Sequence, residues 1–254
     1  MSQSLPSLAP PTASLPASSS LVSLERYQAA RAILCRLGAV FAVLNIAIQS
    51  FQNIAYRMIP EDASGAAAIA VRALPLDRAR AIAVLLSIPL LFIIFSATVL
   101  DRVRRAPGAA LIGFAASLFY VMFELSYRSI DFFYISIRTV HAYQIAELDT
   151  VKQALIARVS EWDALVSTIY FPLVLVGMTA NAAFAISLRG ERGWIARVGF
   201  AGWTINAVRL LPRVLGFVGV TWLEPLNAAI YFPVVLVTNS LFAVWLWNTA
   251  RAPA

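Results

Sequence analysis

Six stretches of this chain are each long and apolar enough to cross a lipid bilayer, and that repetition restricts the fold more than any other feature. A helix needs about 20 apolar residues to span roughly 30 Å of hydrocarbon. The stretches lie at about residues 33 to 56, 81 to 100, 109 to 133, 165 to 188, 195 to 219 and 226 to 249. With 60% hydrophobic residues, 13% charged residues and a mean hydropathy of +0.77, the chain is too apolar for an ordinary soluble domain. A transmembrane β-barrel would show short alternating segments instead of continuous runs. The expected fold is an all-α polytopic membrane bundle of six helices over residues 25 to 254, with both ends of that domain on one side.

The distribution of charge sets an expected orientation. Arg26, Arg31, Arg36, Arg102, Arg104, Arg105, Arg189, Arg192, Arg197 and Arg251 flank one face, accompanied there by only Glu25, Asp101 and Glu191. That face is expected to be cytoplasmic, because basic residues in short connections stay inside. The opposite connections hold Glu61, Asp62, Asp77, Glu147, Asp149, Glu161, Asp163 and Glu224. The net charge of +7 is thereby a topology signal. It gives no support to nucleic-acid binding, which would gather basic residues on one soluble surface. Cys35 is the only cysteine and His141 the only histidine, so neither a Cys-based metal site nor an internal disulfide can be built, and no cofactor is expected.

Residues 1 to 24 carry no charge and are rich in Ser, Pro, Ala and Leu, which predicts a disordered cytoplasmic tail. On the first predicted span, Asn45, Gln49, Gln52 and Asn53 share a face. The following loop predicts a short Ala-rich helix that starts near Asp62 or Ser64 and stops before Pro75. Between about Ala146 and Asp163, Leu148, Val151, Leu155, Val159 and Trp162 recur at helical spacing among charges. That pattern predicts an amphipathic helix on the outer membrane surface, either capping the bundle or binding a partner. An echo links the fourth and sixth spans: IYFPLVLV from Ile169 and IYFPVVLV from Ile230 differ at one position, and SIPLLFII around Pro89 is a looser version. Three helical hairpins, each returning on a Pro-bearing helix, would produce it, and so would chance in a Val- and Leu-rich chain.

The run SLRGERGWIARVGFAGW, from Ser187 to Trp203, resembles the basic turn before the fifth helix in a group of uncharacterised six-helix bacterial membrane proteins. Here Ala196 and Arg197 stand where that group usually has a Pro-Arg pair. The resemblance implies a six-helix topology and a bacterial cytoplasmic membrane, and it carries over no site residues.

Chemistry-bearing residues concentrate on the third span and its neighbours. Tyr120, Glu124, Tyr127, Arg128, Asp131 and Tyr134 fall three or four apart, one stripe down a helix. Counting about 1.5 Å per residue from Ala109 and Ile195 places Glu124 about 22 Å and Arg209 about 21 Å along their helices. Gln49, Asn53, Asn206, Tyr170 and Tyr231 come out near that level, and Arg213 lies a turn beyond Arg209. A charge at mid-membrane costs on the order of 3 kcal/mol, so such groups face the interior and pair. The expected pairs are Glu124 with Arg209, and Asp131 with Arg213 or Arg128.

Three readings of this constellation stand open: a structural ion-pair network, a pocket for an anionic or amphipathic small ligand, and snorkelling of Arg128, Asp131 and Arg213 to the interface. The ligand pocket would be lined by Glu124, Arg128, Asp131, Arg209, Arg213, Gln49, Asn53, Asn206, Tyr170 and Tyr231. Binding or sensing fits better than full transport, since the inner half is apolar apart from Asn181 and Asn239. The alternatives are an accessory subunit of a membrane complex, docking through small-residue faces such as Ala109 and Gly113, and an intramembrane enzyme acting on a lipid or isoprenoid. The enzyme reading lacks metal-ligand clusters, a phosphate-cradling Gly loop and an Asp-rich motif. The expected partners are the lipid bilayer, such a ligand and a membrane protein.

Overall fold

The computed structural model describes residues 17–60 and 64–252. The described residues are almost wholly helical: α1 (Ala17–Met58), α2 (Ala66–Ala73), α3 (Pro75–Arg102), α4 (Pro107–Ser129), a π-helical segment (Ile130–Thr139), α5 (Val140–Ile145), α6 (Asp149–Leu188), α7 (Trp194–Phe217), a 3-10 turn (Thr221–Leu223) and α8 (Glu224–Thr249). Prolines set several starts: Pro75 and Pro107 stand in the first turns of α3 and α4, where the missing N–H costs nothing. Pro89, Pro172, Pro212 and Pro233 lie inside helices that continue through them.

The six long elements form a closed ring in chain order. α1 packs on α3, α3 on α4, α4 on α6, α6 on α7, α7 on α8, and α8 returns to α1. Short connections make such neighbours antiparallel. Five helical stretches are long and apolar enough to cross a membrane: Leu24–Met58, Pro75–Arg102, Pro107–Ile145, Asp149–Leu188 and Pro225–Thr249. The protein is a multi-pass membrane bundle. The sixth member, α7, has 24 residues but carries Arg197, Arg209 and Arg213, and falls short of that apolar standard.

Several expected boundaries move. The expected tail over residues 1 to 24 lies outside the described residues up to residue 16, and from Ala17 the chain is already α1. The short loop helix is α2; it stops before Pro75 as expected and begins at Ala66, two residues after Ser64. The separate surface helix over about 146 to 163 does not form: Asp149–Leu188 is one helix of 40 residues. At about 1.5 Å per residue it is roughly 60 Å long, twice the hydrocarbon thickness. Its apolar stripe caps the bundle. Val159 and Trp162 are buried with Ile69 of α2, Tyr127 of α4, and Ile135 and Val140, and Leu155 is buried too, whereas Leu148 and Val151 stay exposed. The third span likewise continues past residue 133 through the π segment to Ile145.

The core lies toward the end of the ring opposite α2. Trp203 is fully buried at its centre, with ring centroids 4.2 Å from Phe242, 4.9 Å from Phe184, 5.9 Å from Phe95 and 6.3 Å from Trp245. Gly113 lets α4 approach α6 here, because a Cβ at that position would sit 2.5 Å from the Phe184 ring. On the outside of the ring, Leu111, Ile112, Phe119, Met122, Leu86 and Val208 are exposed, which is the surface a lipid-facing bundle presents.

Candidate functional site

The α4 stripe builds one wall of a polar cavity inside the ring. Tyr120, Glu124 and Tyr127 turn inward at helical spacing, with Glu124 and Tyr127 buried. A cavity of about 330 Å³ opens beside them, toward the end of the ring that carries α2. Gln49, Gln52, Asn53 and Tyr56 of α1, Tyr120, Glu124 and Arg128 of α4, and Tyr170 of α6 line it. So do Arg209 and Arg213 of α7, and Asn227 and Tyr231 of α8. A volume of this size suits a small ligand.

Of the ten residues expected from the sequence, eight line this cavity: Gln49, Asn53, Glu124, Arg128, Tyr170, Arg209, Arg213 and Tyr231. Asn206 sits just beneath, on a smaller space of about 90 Å³ shared with Asn45, Asn181 and Asn239. There Asn206 donates to the Asn181 Oδ1 at 2.7 Å and accepts from the Arg209 Nε at 3.1 Å. Asn45 donates to Asn239 at 3.0 Å across α1 and α8. Below this amide layer the aromatic cluster around Trp203 closes the interior, with Phe95 and Phe242 lining the smaller space.

Asp131 lies elsewhere. It accepts from the Arg72 guanidinium at 2.8 Å and from the Trp162 Nε1 at 2.9 Å, and Arg72 also bridges to Asp163 at 2.6 Å. The expected pairing with Arg213 or Arg128 is thus corrected: α2 lies over the π segment and brings a nearer cation. The Glu124–Arg209 pair does not form either. Glu124 accepts from its own helix, from the Tyr127 hydroxyl at 3.0 Å and the Arg128 Nε at 3.1 Å. A residue four positions along the same helix is always within reach, whereas Arg209 must cross the cavity.

Arg209 and Arg213 rest on tyrosines instead. The Arg209 guanidinium lies 5.0 Å from the Tyr231 ring centroid, and that of Arg213 lies 5.3 Å from the Tyr170 ring. Both tyrosines belong to the repeated IYFP segments, so the two echoes on α6 and α8 flank α7 and each holds one of its arginines. Among the described residues neither arginine forms an ion pair. Tyr170 also meets the Tyr127 hydroxyl at 2.8 Å and accepts from the Arg128 Nη2 at 2.9 Å. The described lining therefore holds three guanidinium groups against one carboxylate, and that carboxylate already has a partner. Tyr120, Tyr56 and Asn227 were not among the expected ligand residues. Tyr120 begins the α4 stripe, and Asn227 shares a helix face with Tyr231, so both carried a periodic signal. Nothing at the exposed position of Tyr56 marked it.

A second polar cluster sits at the opposite end of the ring, among the arginines that the sequence reads as a topology signal. Arg31 of α1 and Asp101 of α3 pair at 2.8 Å with side chains 6% and 2% exposed. Arg102, also buried, donates to the Ser187 carbonyl at 2.6 Å and to Glu191 at 2.5 Å. Burial would push the Glu191 carboxyl up, but the hydrogen bond and charge of Arg102, with Arg105 behind it, hold it below the usual carboxylate range. A depressed folded value stabilises the fold above the unfolded value of about 4.3, and that stability is lost as pH falls through the folded value. Thermal unfolding from pH 6 downward should show the wild type losing stability below about pH 4.3, with Glu191→Gln losing less over the same interval. Parallel curves would remove Glu191 from the account.

The described residues contain no group of three or more His, Cys, Asp or Glu side chains arranged to hold a metal ion. Comparison with protein-family models, curated proteins and solved structures finds no match, so a function for this chain rests on the cavity itself.

Proposed function

We propose that this is an integral membrane protein that binds a small anionic or amphipathic ligand in the cavity bounded by α1, α4, α6, α7 and α8. In this reading α7 is the sixth span. It packs between α6 and α8, exposes Val208 and Leu211 on the outside of the ring, and turns Arg209 to the cavity, where water or a ligand solvates the charge. The Arg-rich end with Arg31 and Arg102 then faces the cytoplasm, and the cavity opens to the opposite side.

The observation that carries the proposal is the surplus of oriented positive charge. Arg209 and Arg213 are held against tyrosine rings with no carboxylate partner among the described residues. Arg209 is half-buried and Arg213 is exposed at the cavity's edge, so both can meet an incoming anion, and a purely structural network would be expected to supply the half-buried Arg209 with a carboxylate. An anion entering between them gains charge-assisted hydrogen bonds and tyrosine hydroxyls without reorganising the site. The packed aromatic layer under the amide layer supports binding or sensing over passage.

Native mass spectrometry of protein extracted gently from its membrane tests this. A retained small molecule should be lost in Arg209→Gln, whose affinity should fall about 10- to 100-fold, as expected for removing one charged hydrogen bond of about 1.5–3 kcal/mol. The variant should melt near the wild type. Equal retention by both proteins would overturn the reading.

A further inference from the structure

The basic turn between α6 and α7 is absorbed by neither the cavity nor its ligand. Its sequence, Arg189 to Gly193, reads RGERG, and Gly190 and Gly193 take φ values of 85° and 116°. Only glycine enters that region without strain, so the chain can turn sharply into α7. Gly193 is the N-cap and supplies no side-chain acceptor to the first turn of this 24-residue helix. Trp194, Ile195 and Ala196, the residues of that turn, line a pocket of about 190 Å³. The first N–H groups of a helix carry partial positive charge and are suited to an oxyanion.

The rest of the pocket reinforces that polarity. Four arginines, Arg31, Arg102, Arg105 and Arg192, line it against Asp101 and Glu191. Arg102 adds an independent observation. Its residue is 1% exposed, and its Nε is buried with no hydrogen-bond partner, although its Nη2 reaches both Ser187 and Glu191. A buried guanidinium N–H left unpaired among surplus positive charge is the donor an anion would satisfy.

We propose that this pocket binds a phosphate group, presented by an anionic phospholipid of the adjacent leaflet. A phosphate oxyanion matches the uncapped helix turn and the guanidinium fork of Arg102 together. The pocket holds a head group and no more. Trp194 is 57% exposed beside it, in the position of an interfacial aromatic anchor, and Phe200 is exposed further along α7 where acyl chains would run. Basic pockets between helix ends are a recurrent place for such head groups. The proposal is independent of the ligand in the main cavity.

The test compares the full chain in nanodiscs of phosphatidylcholine alone and with phosphatidylglycerol added, and in detergent with inorganic phosphate against chloride at equal ionic strength. Thermal midpoint and the lipid retained in native mass spectra are read for the wild type, Arg105→Gln/Arg192→Gln and Arg105→Lys/Arg192→Lys. Arg192 is exposed and the Arg105 side chain is 44% exposed, so neither change disturbs packing. Phosphatidylglycerol should raise the wild-type midpoint and remain bound. Retention should fall at least 10-fold in the Gln pair, which is about 1.4 kcal/mol or more, and return in large part with the Lys pair. A midpoint gain from inorganic phosphate equal to that from the lipid would support the phosphate site with a free anion as its source. If neither addition shifts the wild type, or if the Gln pair responds as the wild type does, the proposal falls.

Discussion

Replacing Asp101 by Asn should destabilise the fold by about 3–5 kcal/mol, the cost of leaving a buried charge without its partner. Asp101 is 4% exposed and sits between two buried arginines, accepting from the Arg31 Nε at 2.8 Å and lying 3.6 Å from the Arg102 Nη1. Neutralising it leaves the Arg31 guanidinium, its side chain 6% exposed, without a carboxylate, while Arg102 keeps Glu191. The second step of the experiment separates charge from shape: Arg31→Met with Asp101→Leu removes both members and should recover much of the loss, because a buried pair contributes little beyond what apolar packing supplies. Unfolding of the purified protein reads both. An Asp101→Asn midpoint equal to the wild type would mean that the pair is solvated and that the burial described for it is wrong.

The second large effect is expected at Trp203. Lipid tails are as apolar as leucine, so a bundle in a bilayer gains nothing from excluding water and is held by close packing instead. Trp203 makes four aromatic contacts with centroid distances from 4.2 to 6.3 Å. At about 0.5–1.5 kcal/mol for each such pair, Trp203→Ala should cost about 3 kcal/mol, while Trp203→Phe should keep more than half of it. The same change removes the packing behind Phe95 and Phe242, which close the small space beneath the main cavity. The anion affinity proposed for the main cavity should fall less than stability does. A Trp203→Ala protein as stable as the wild type would show that the aromatic cluster is not what holds α3, α6, α7 and α8 together.

The ring of long helices was legible because apolar length is read directly from sequence. α7 belongs to the ring although its arginines leave it short of the apolar standard that the other five meet. Helix ends were less legible. A span is cut at the thickness of the bilayer by any hydropathy argument, but nothing breaks the helix between Asp149 and Leu188, so one rod replaced a surface helix and a span. The cavity was legible because residues at one depth and on inward faces must meet, which placed Gln49, Glu124, Arg209 and Tyr231 together. Pairings within it were not, since the choice between Arg128 and Arg209 for Glu124 depends on helix rotation and side-chain reach. Asp131 pairs with Arg72, whose approach depends on how α2 lies over the π segment, which no spacing in the sequence shows. The Arg31–Asp101 pair was missed for a related reason: arginines flanking a span are normally solvated, and only the lone acid directly after the apolar run of α3 signalled otherwise.

The ring closes on itself through its first and last members, and this bears on the order in which the molecule is made. Gly38 of α1 admits Leu246 of α8 so closely that a Cβ there would lie 2.9 Å from the Leu246 Cδ1, and Asn45 donates to Asn239 across 194 residues of chain. While a ribosome is still producing the middle of the protein, the α1 face that will meet α8 has no partner, and the Asn45 amide has nothing in hydrocarbon to donate to. Arrival of α8 ends that exposure. A nascent chain stalled before α8 therefore displays within the membrane a polar amide that α8 covers once it packs against α1.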